Sequence, residues 1–449
     1  VSSPTAGPAG IPTVPGKLPG IGHVPRLLRN PLAFMRSLRD TGDLAWVHLG
    51  PQRVLSVNSP ELVHRMLVTD GRKYDQGKYF DKIRQEFGNG LPVSNGAFHT
   101  RQRRLIQPAF HRERIEGYFR VMADSAAAMT SRWQPGEVVP LKAQALQLML
   151  GMVAKTLFSA DVSGRVNDEV QRSWTTIVKG VAWRTMSPVE FLEKVPTPGN
   201  RRYVQASRRM RAAVREAVVE QRRTGADDAS LLTMLLAARD AETGERMSDE
   251  QIIAEIFLIL FAGTETAAFM TVWLFHELAR EPAVAKQLYA EIDSVLGDGP
   301  PTFEAIGRLT YTRRVLTECL RLYHPGWMFM RRTNTTVELG GRELPPGTET
   351  LFSIYAQHRD PRSFPEPLRF DPDRWLPGAP QPPDDAYIPF LAGKRQCIGD
   401  GYAWAQMVTT IATIVSRWRL EPVPGHPVKE LPQALMAPSE LPVVVRPRP

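Results

Sequence analysis

The stretch PFLAGKRQCIG at 389–399 places Cys397, one of only two cysteines in 449 residues, behind two basic residues and between two glycines. A lone thiol is most often a small hydrophobe, but these surroundings suit chemistry. Gly393 and Gly399 let the backbone approach a flat, bulky group with no Cβ in the way. Lys394 and Arg395 add positive potential that favours the thiolate, and Phe390 can shield it from water. A cysteinate held this way is suited to the axial position of an iron porphyrin. Two other readings stay open. Zinc wants several Cys or His ligands, usually as close pairs; neither cysteine has such a partner, and the nine histidines are scattered. A Cys–His nucleophile has no specific sequence context.

Three more groups carry polar chemistry. Ala262-Gly263-Thr264-Glu265-Thr266 puts a carboxylate and two hydroxyls in an apolar run. Such a carboxylate is costly without a task or a partner, although Gly263 also reads as a packing residue and Thr266 as a hydroxyl bonding back to its own helix. Glu318 and Arg321 stand at the i, i+3 spacing of many weak surface pairs. His99 and Arg103 lie one helical turn apart in GAFHTRQRR (96–104), and two cations on one face call for an anion between them. Cys319 reads as core.

These groups need helices to position them. Helical apolar spacing is predicted over 31–42, 61–69, 143–159 and 201–223. The strongest helix is 248–282, with Ser248 as N-cap, Gln251 at the capping-box position and Pro282 closing the run. Strand signals are short, at 44–50, 53–59, 335–341 and 441–447, and Gly and Pro punctuate 340–400. There is no repeat, no low-complexity linker and no domain boundary.

Phe390-x-x-Gly393-x-Arg395-x-Cys397-x-Gly399 resembles the haem-binding signature of the cytochrome P-450 superfamily. AGTET resembles that family's oxygen-activation motif. ECLR (318–321) with FDPDRW (370–375) resembles its structural Glu–Arg elements, and 96–104 followed by PAF (108–110) resembles the helix crossing one haem edge. The motifs fall in the family's order and span nearly the whole chain. The resemblance implies a mainly α fold, a helical prism with small β-sheets, in a single catalytic domain over 1–449 with a Pro/Gly-rich segment at about 1–20. It implies Cys397 as the ligand of haem b iron, with Phe390, Gly393, Gly399, Ala262 and Gly263 around the cofactor. His99, Arg103, Arg331 and Arg395 become propionate contacts, with Arg332 a substitute for Arg331. Glu265 and Thr266 become the acid–alcohol pair that delivers protons to bound oxygen. Ala267 replaces the second hydroxyl common in relatives, which bears on water placement. Glu318, Arg321 and Arg374 hold the fold, as does His358-Arg359-Asp360-Pro361.

The implied activity is that of a soluble bacterial monooxygenase. No GxGxxG follows a strand, so NAD(P)H-derived electrons must arrive through a ferredoxin or flavodoxin-type donor with its reductase, docking on basic residues near the cysteine loop. Phe80, Phe87, Leu258, Phe261, Trp327, Phe329 and Met436 are the candidate substrate contacts. They are apolar, with no charged anchor, which favours hydroxylation of a small, terpene-like secondary metabolite. The alternatives are a fatty-acid or other lipid hydroxylase, or a peroxide-using or isomerising haem-thiolate enzyme. Net charge is +9, but acidic and basic residues are mixed and no recognition motif accompanies them, so nucleic acid is not an expected partner. Two cysteines point to a reducing compartment, and the Pro/Gly-rich start lacks a signal-peptide pattern. The expectation is a cytoplasmic monomer without a membrane span, since apolar runs such as 256–263 fall short of the roughly 18 residues required.

Overall fold

The structure, a computed structural model, describes residues 10–158, 160–186, 193, 195–225 and 230–448. Its chain folds into two compact units. The first is Val1–Lys82, Leu320–Phe370 and Pro377–Cys397; the second is Ile83–Cys319, Asp371–Leu376 and Ile398–Pro449. The chain passes between the units several times, at Lys82–Ile83 and Cys319–Leu320 inside helices, so no linker marks those crossings.

The first unit is built on a five-stranded sheet of β1 (Leu44–Leu49), β2 (Gln52–Val57), β3 (Tyr74–Gln76), β4 (Phe329–Thr333) and β5 (Glu349–Phe352), in the order β1-β2-β5-β4-β3. All neighbours are antiparallel except β2 and β5. Alternating apolar residues put Trp46, Leu55 and Val57 into one core with Met66, Leu67, Phe352 and Ile388. Leu391 and Ala392 pack on its edge, so the core supports the loop that leads to Cys397. The predicted strand at 335–341 is a two-stranded ribbon, Val337–Leu339 against Arg342–Leu344, turning at Gly340-Gly341, both in the left-handed region.

The second unit is helical. Its main elements are α1 (Gly96–Ile106), α2 (Arg112–Thr130), α3 (Leu141–Leu157), α4 (Ala160–Met186), α5 (Pro198–Thr224), α6 (Asp249–Arg280) and α8 (Asp400–Val415); α7 (Thr310–Leu322) lies between the last two in sequence. α6 opens on a complete capping box, Ser248 accepting from the Gln251 N–H and Gln251 accepting from the Ser248 N–H. It packs against α3, α5 and α8. By length and composition α6 could cross a membrane, with a mean hydropathy of 1.8 over 18 residues, a point that counting short apolar runs missed. Yet 67% of that window is buried inside the protein, as expected for a core helix. Small sheets close the unit: Val138–Pro140, Pro442–Pro447 and Trp418–Pro422 form one, and Glu430–Pro432 with Met436–Pro438 forms the other.

Candidate functional site

In the first unit, Cys397 is exposed at the end of a tightly turned loop. Its backbone N–H donates to the Phe390 carbonyl at 2.8 Å, closing the loop. Gly393 has φ +68, and a Cβ there would overlap the Leu67 carbonyl, so only glycine fits. Leu391 also takes a positive φ, of 60°, a costly conformation for a side-chain-bearing residue. Two buried histidines hold the approach to the loop. His324 Nε2 lies 2.8 Å from the Pro389 carbonyl oxygen, and His358 Nε2 accepts from the Ile388 N–H at 3.1 Å. Burial and neighbouring cationic groups drop the His358 pKa well below its usual value, so the ring is neutral, with its proton on Nδ1.

Arg331 is a buried cation with an open donor. It is 1% exposed, and Nη1 donates to Gln76 Oε1 and the Met330 carbonyl, while Nη2 has no hydrogen-bond partner among the described residues. Its guanidinium lies over the rings of Phe80 and Phe352, at 5.8 and 5.7 Å. Burial, with Arg395 nearby, lowers its pKa to about 9. A buried guanidinium with an open donor is a place for an anion. Arg332 is not its substitute, because it binds Asp81 at 2.7 Å and Glu349 at 2.6 Å. Cys397 at the end of its glycine-bounded loop and a buried arginine with a spare donor fit the thiolate ligation and propionates of the haem that the motifs imply.

In the second unit, α1 carries His99, buried, and Arg103, half-buried. Arg101 and Arg104 of the same helix turn away to the acidic 240–245 turn, Arg104 meeting Asp240 at 3.0 Å and Arg101 meeting Glu245 at 3.4 Å. On α6, the Thr266 hydroxyl donates to the Ala262 carbonyl at 2.6 Å. Beside it, burial raises the Glu265 pKa to about 7, while Lys142 pulls it down. The Cβ of a residue at 263 would meet Val153 Cγ2 at 3.0 Å, so Gly263 serves close packing of α6 on α3. Gly399 is not crowded by the chain, the nearest atom to a Cβ there being Phe110 Cε1 at 3.6 Å.

Glu318, fully buried, accepts from the Asp371 N–H at 3.0 Å and Trp375 Nε1 at 2.9 Å, with Arg374 Nε 3.6 Å away. Arg321 donates to the carbonyls of His358, Pro367 and Arg369. Cys319 is buried, and burial with nearby carboxylates raises its pKa.

The candidate substrate contacts fall into separate groups. Phe87 packs on Phe257 and Phe261 at 6.0 and 5.5 Å, and Leu258 is buried beneath Gly90. Phe329 stacks on Phe352 at 5.4 Å, Trp327 is buried, and Phe80 lies under Arg331. Met436 is fully buried in its strand. The sequence reading missed Lys142, Glu255 and His324. Only Glu255 left a signal, as a carboxylate inside the apolar run IIAEIFLIL.

A family model described as cytochrome P450 matches residues 12–445. The chain is 44% identical over its whole length to a cyclooctat-9-en-7-ol 5-monooxygenase of Streptomyces melanosporofaciens, covering 97% of that protein. It is 39% identical to a cyclooctatin synthase of the same organism, over 97% of this chain and 95% of that one. With a pentalenene oxygenase of Streptomyces avermitilis the identity is 37%, over 93% of each chain. The crystal structure of the cytochrome P450DA haem domain superposes with a TM-score of 0.87 at 27% identity, over 99% of both chains. These likenesses identify the chain as a member of the cytochrome P450 family.

Proposed function

We propose that this chain is a haem-thiolate monooxygenase that hydroxylates a cyclic terpene. The observation that carries the chemistry is the pair Glu265-Thr266 in α6, a carboxyl with a pKa of about 7 beside a hydroxyl. The terpene follows from relatives at 37–44% identity whose names specify pentalenene and cyclooctat-9-en-7-ol.

Cys397 would ligate haem iron, and Arg331, Arg395, His99 and Arg103 would neutralise the propionates. When bound, the haem supplies reductive activation of dioxygen and oxygenation of a C–H bond. Glu265 can both give and take a proton at neutral pH, because burial has moved its pKa close to 7. The Thr266 oxygen, whose proton is engaged with Ala262, has lone pairs free to accept from a water and so would hold that water in place to carry a proton. Phe87, Phe261 and Leu258 would exclude water and hold an apolar ring system by shape. NAD(P)H-derived electrons would arrive through a ferredoxin or flavodoxin-type donor and its reductase. Such an acidic donor would dock at the exposed Lys394 and Arg72, which lie close enough for Arg72 to help lower the Lys394 pKa, after burial.

An optical titration of the ferric holoenzyme tests the substrate class. Pentalenene or cyclooctat-9-en-7-ol should shift the Soret band saturably toward the high-spin form, and a long-chain fatty acid should not. A shift with the fatty acid alone would overturn the terpene reading.

A further inference from the structure

At Gly88 and Gly90 the chain lies closer to α6 than a side chain would allow. A Cβ at Gly88 would sit 2.8 Å from the Ala254 Cβ, and one at Gly90 would sit 2.6 Å from Leu258 Cδ1 and 2.9 Å from Glu255 Oε2. Into this contact α6 projects a carboxylate. Glu255, 1% exposed, accepts the Leu91 N–H with both oxygens at 2.9 Å and the Gln102 Nε2 at 3.1 Å. Leu91 opens the 3₁₀ turn Leu91–Val93, whose first N–H has no partner within the turn. A carboxylate in an apolar helix costs several kcal/mol of desolvation unless it is well bonded, so this one holds something in place. The residue before Gly88 is Phe87, whose ring lies 5.5 Å from Phe261, one turn ahead of Glu265 on α6.

We infer that Glu255 is a positioning residue that latches the 87–91 segment to α6, and that the Phe87–Phe261 wall so fixed selects which carbon of the substrate is oxygenated. The inference rests on the terpene reading above. A rigid hydrocarbon offers no polar handle, so its orientation comes from the shape of the apolar wall. Small displacements of that wall change which C–H is presented. Gln102 completes the latch from α1. Its own Oε1 is buried without a partner, so the site also accommodates a donor at position 255.

The test compares haem-loaded wild type with Glu255→Leu, Glu255→Gln and Gly90→Ala, using cyclooctat-9-en-7-ol and pentalenene as probes. Glu255→Leu removes the acceptor. Gly90→Ala keeps it and wedges the contact apart, so one variant remains informative if the other does not fold. Both should weaken probe binding about tenfold and turn one product isomer into several, with the spectrum of the reduced CO complex unchanged. Glu255→Gln should stay within about twofold of wild type, its carbonyl accepting from Leu91 and its amide donating to Gln102 Oε1. Wild-type isomer ratios and affinity in Glu255→Leu or Gly90→Ala would overturn the inference. Hydrogen exchange at the Leu91 amide judges the latch independently of substrate. Exchange should speed up about tenfold or more in Glu255→Leu and stay protected in Glu255→Gln; equal protection in both would overturn the latch. Wild type that binds neither probe while showing this exchange pattern would count against the terpene reading alone.

Discussion

Lys142 Nζ lies 5.5 Å from the centre of the Phe269 ring, one helical turn beyond Glu265 on the same face of α6. The ammonium is tied to the Pro438 carbonyl at 2.7 Å, so it is fixed in place. Its charge favours ionised Glu265 and opposes the larger effect of burial. Lys142→Met should therefore raise the Glu265 pKa above about 7. The limb of the pH–rate profile that reports this carboxyl should move upward by up to about one pH unit. An unmoved profile would separate Lys142 from proton delivery.

Glu255 makes a prediction about stability. Burial raises its folded pKa to about 7 from 4.5, with the Leu91 and Gln102 hydrogen bonds acting the other way. The folded state thus holds its proton more tightly than the unfolded one. The stability so contributed is complete below the unfolded pKa and is lost as pH rises through about 7. Wild type should lose on the order of 3 kcal/mol relative to Glu255→Gln between about pH 4.5 and 7. Denaturant unfolding of the two proteins at several pH values measures the difference. Parallel curves would mean that the carboxyl does not titrate in that window.

Arg331 separates cofactor retention from folding. Its Nη2 has no hydrogen-bond partner among the described residues, so Arg331→Met removes a buried cation with an open donor from the apoprotein. Apoprotein stability should hold or rise. Haem transfer to an acceptor such as apomyoglobin should speed up roughly 10- to 100-fold, the worth of a charge-assisted hydrogen bond. Arg332→Met should leave haem retention near wild type, since Arg332 is engaged by Asp81 and Glu349.

Glu318 is the opposite case. Glu318→Ala strands the Asp371 N–H and the Trp375 indole N–H and unpairs Arg374. Loss of one partner from such a buried set costs about 3–5 kcal/mol. The thermal midpoint should fall by several degrees or expression of folded protein should fail, while Cys319→Ser, in the adjacent core position, should cost less.

Much of this was legible in the sequence where side-chain type and spacing carry the signal. The Ser248–Gln251 capping box and the apolar length of α6 are local features, and the helix begins where they place it. Strands β3, β4 and β5 were not legible: each is three to five residues long, and what makes them strands is pairing with partners far away in sequence. Among the arginines, 331 and 332 are equivalent by position alone. Only the placement of Asp81 and Glu349 beside one of them leaves the other open. His324 shows the same limit, because its contact with Pro389 joins residues 65 positions apart. Glu255 was visible as a carboxylate in an apolar helix, but its partners, Leu91 on a turn and Gln102 on α1, lie 164 and 153 residues earlier.

The central claim is that Glu265 and Thr266 serve the transfer of one oxygen atom from O2 to a cyclic terpene. The most direct measurement is turnover of cyclooctat-9-en-7-ol under isotopically labelled dioxygen, with a ferredoxin and its reductase supplying electrons from NADPH, in wild type and Thr266→Ala. The account predicts one labelled oxygen atom in the wild-type product. It also predicts a severalfold drop in product formed per NADPH in Thr266→Ala, which lacks the hydroxyl that would hold the proton-carrying water. Unlabelled product, or unchanged coupling in the variant, would contradict it.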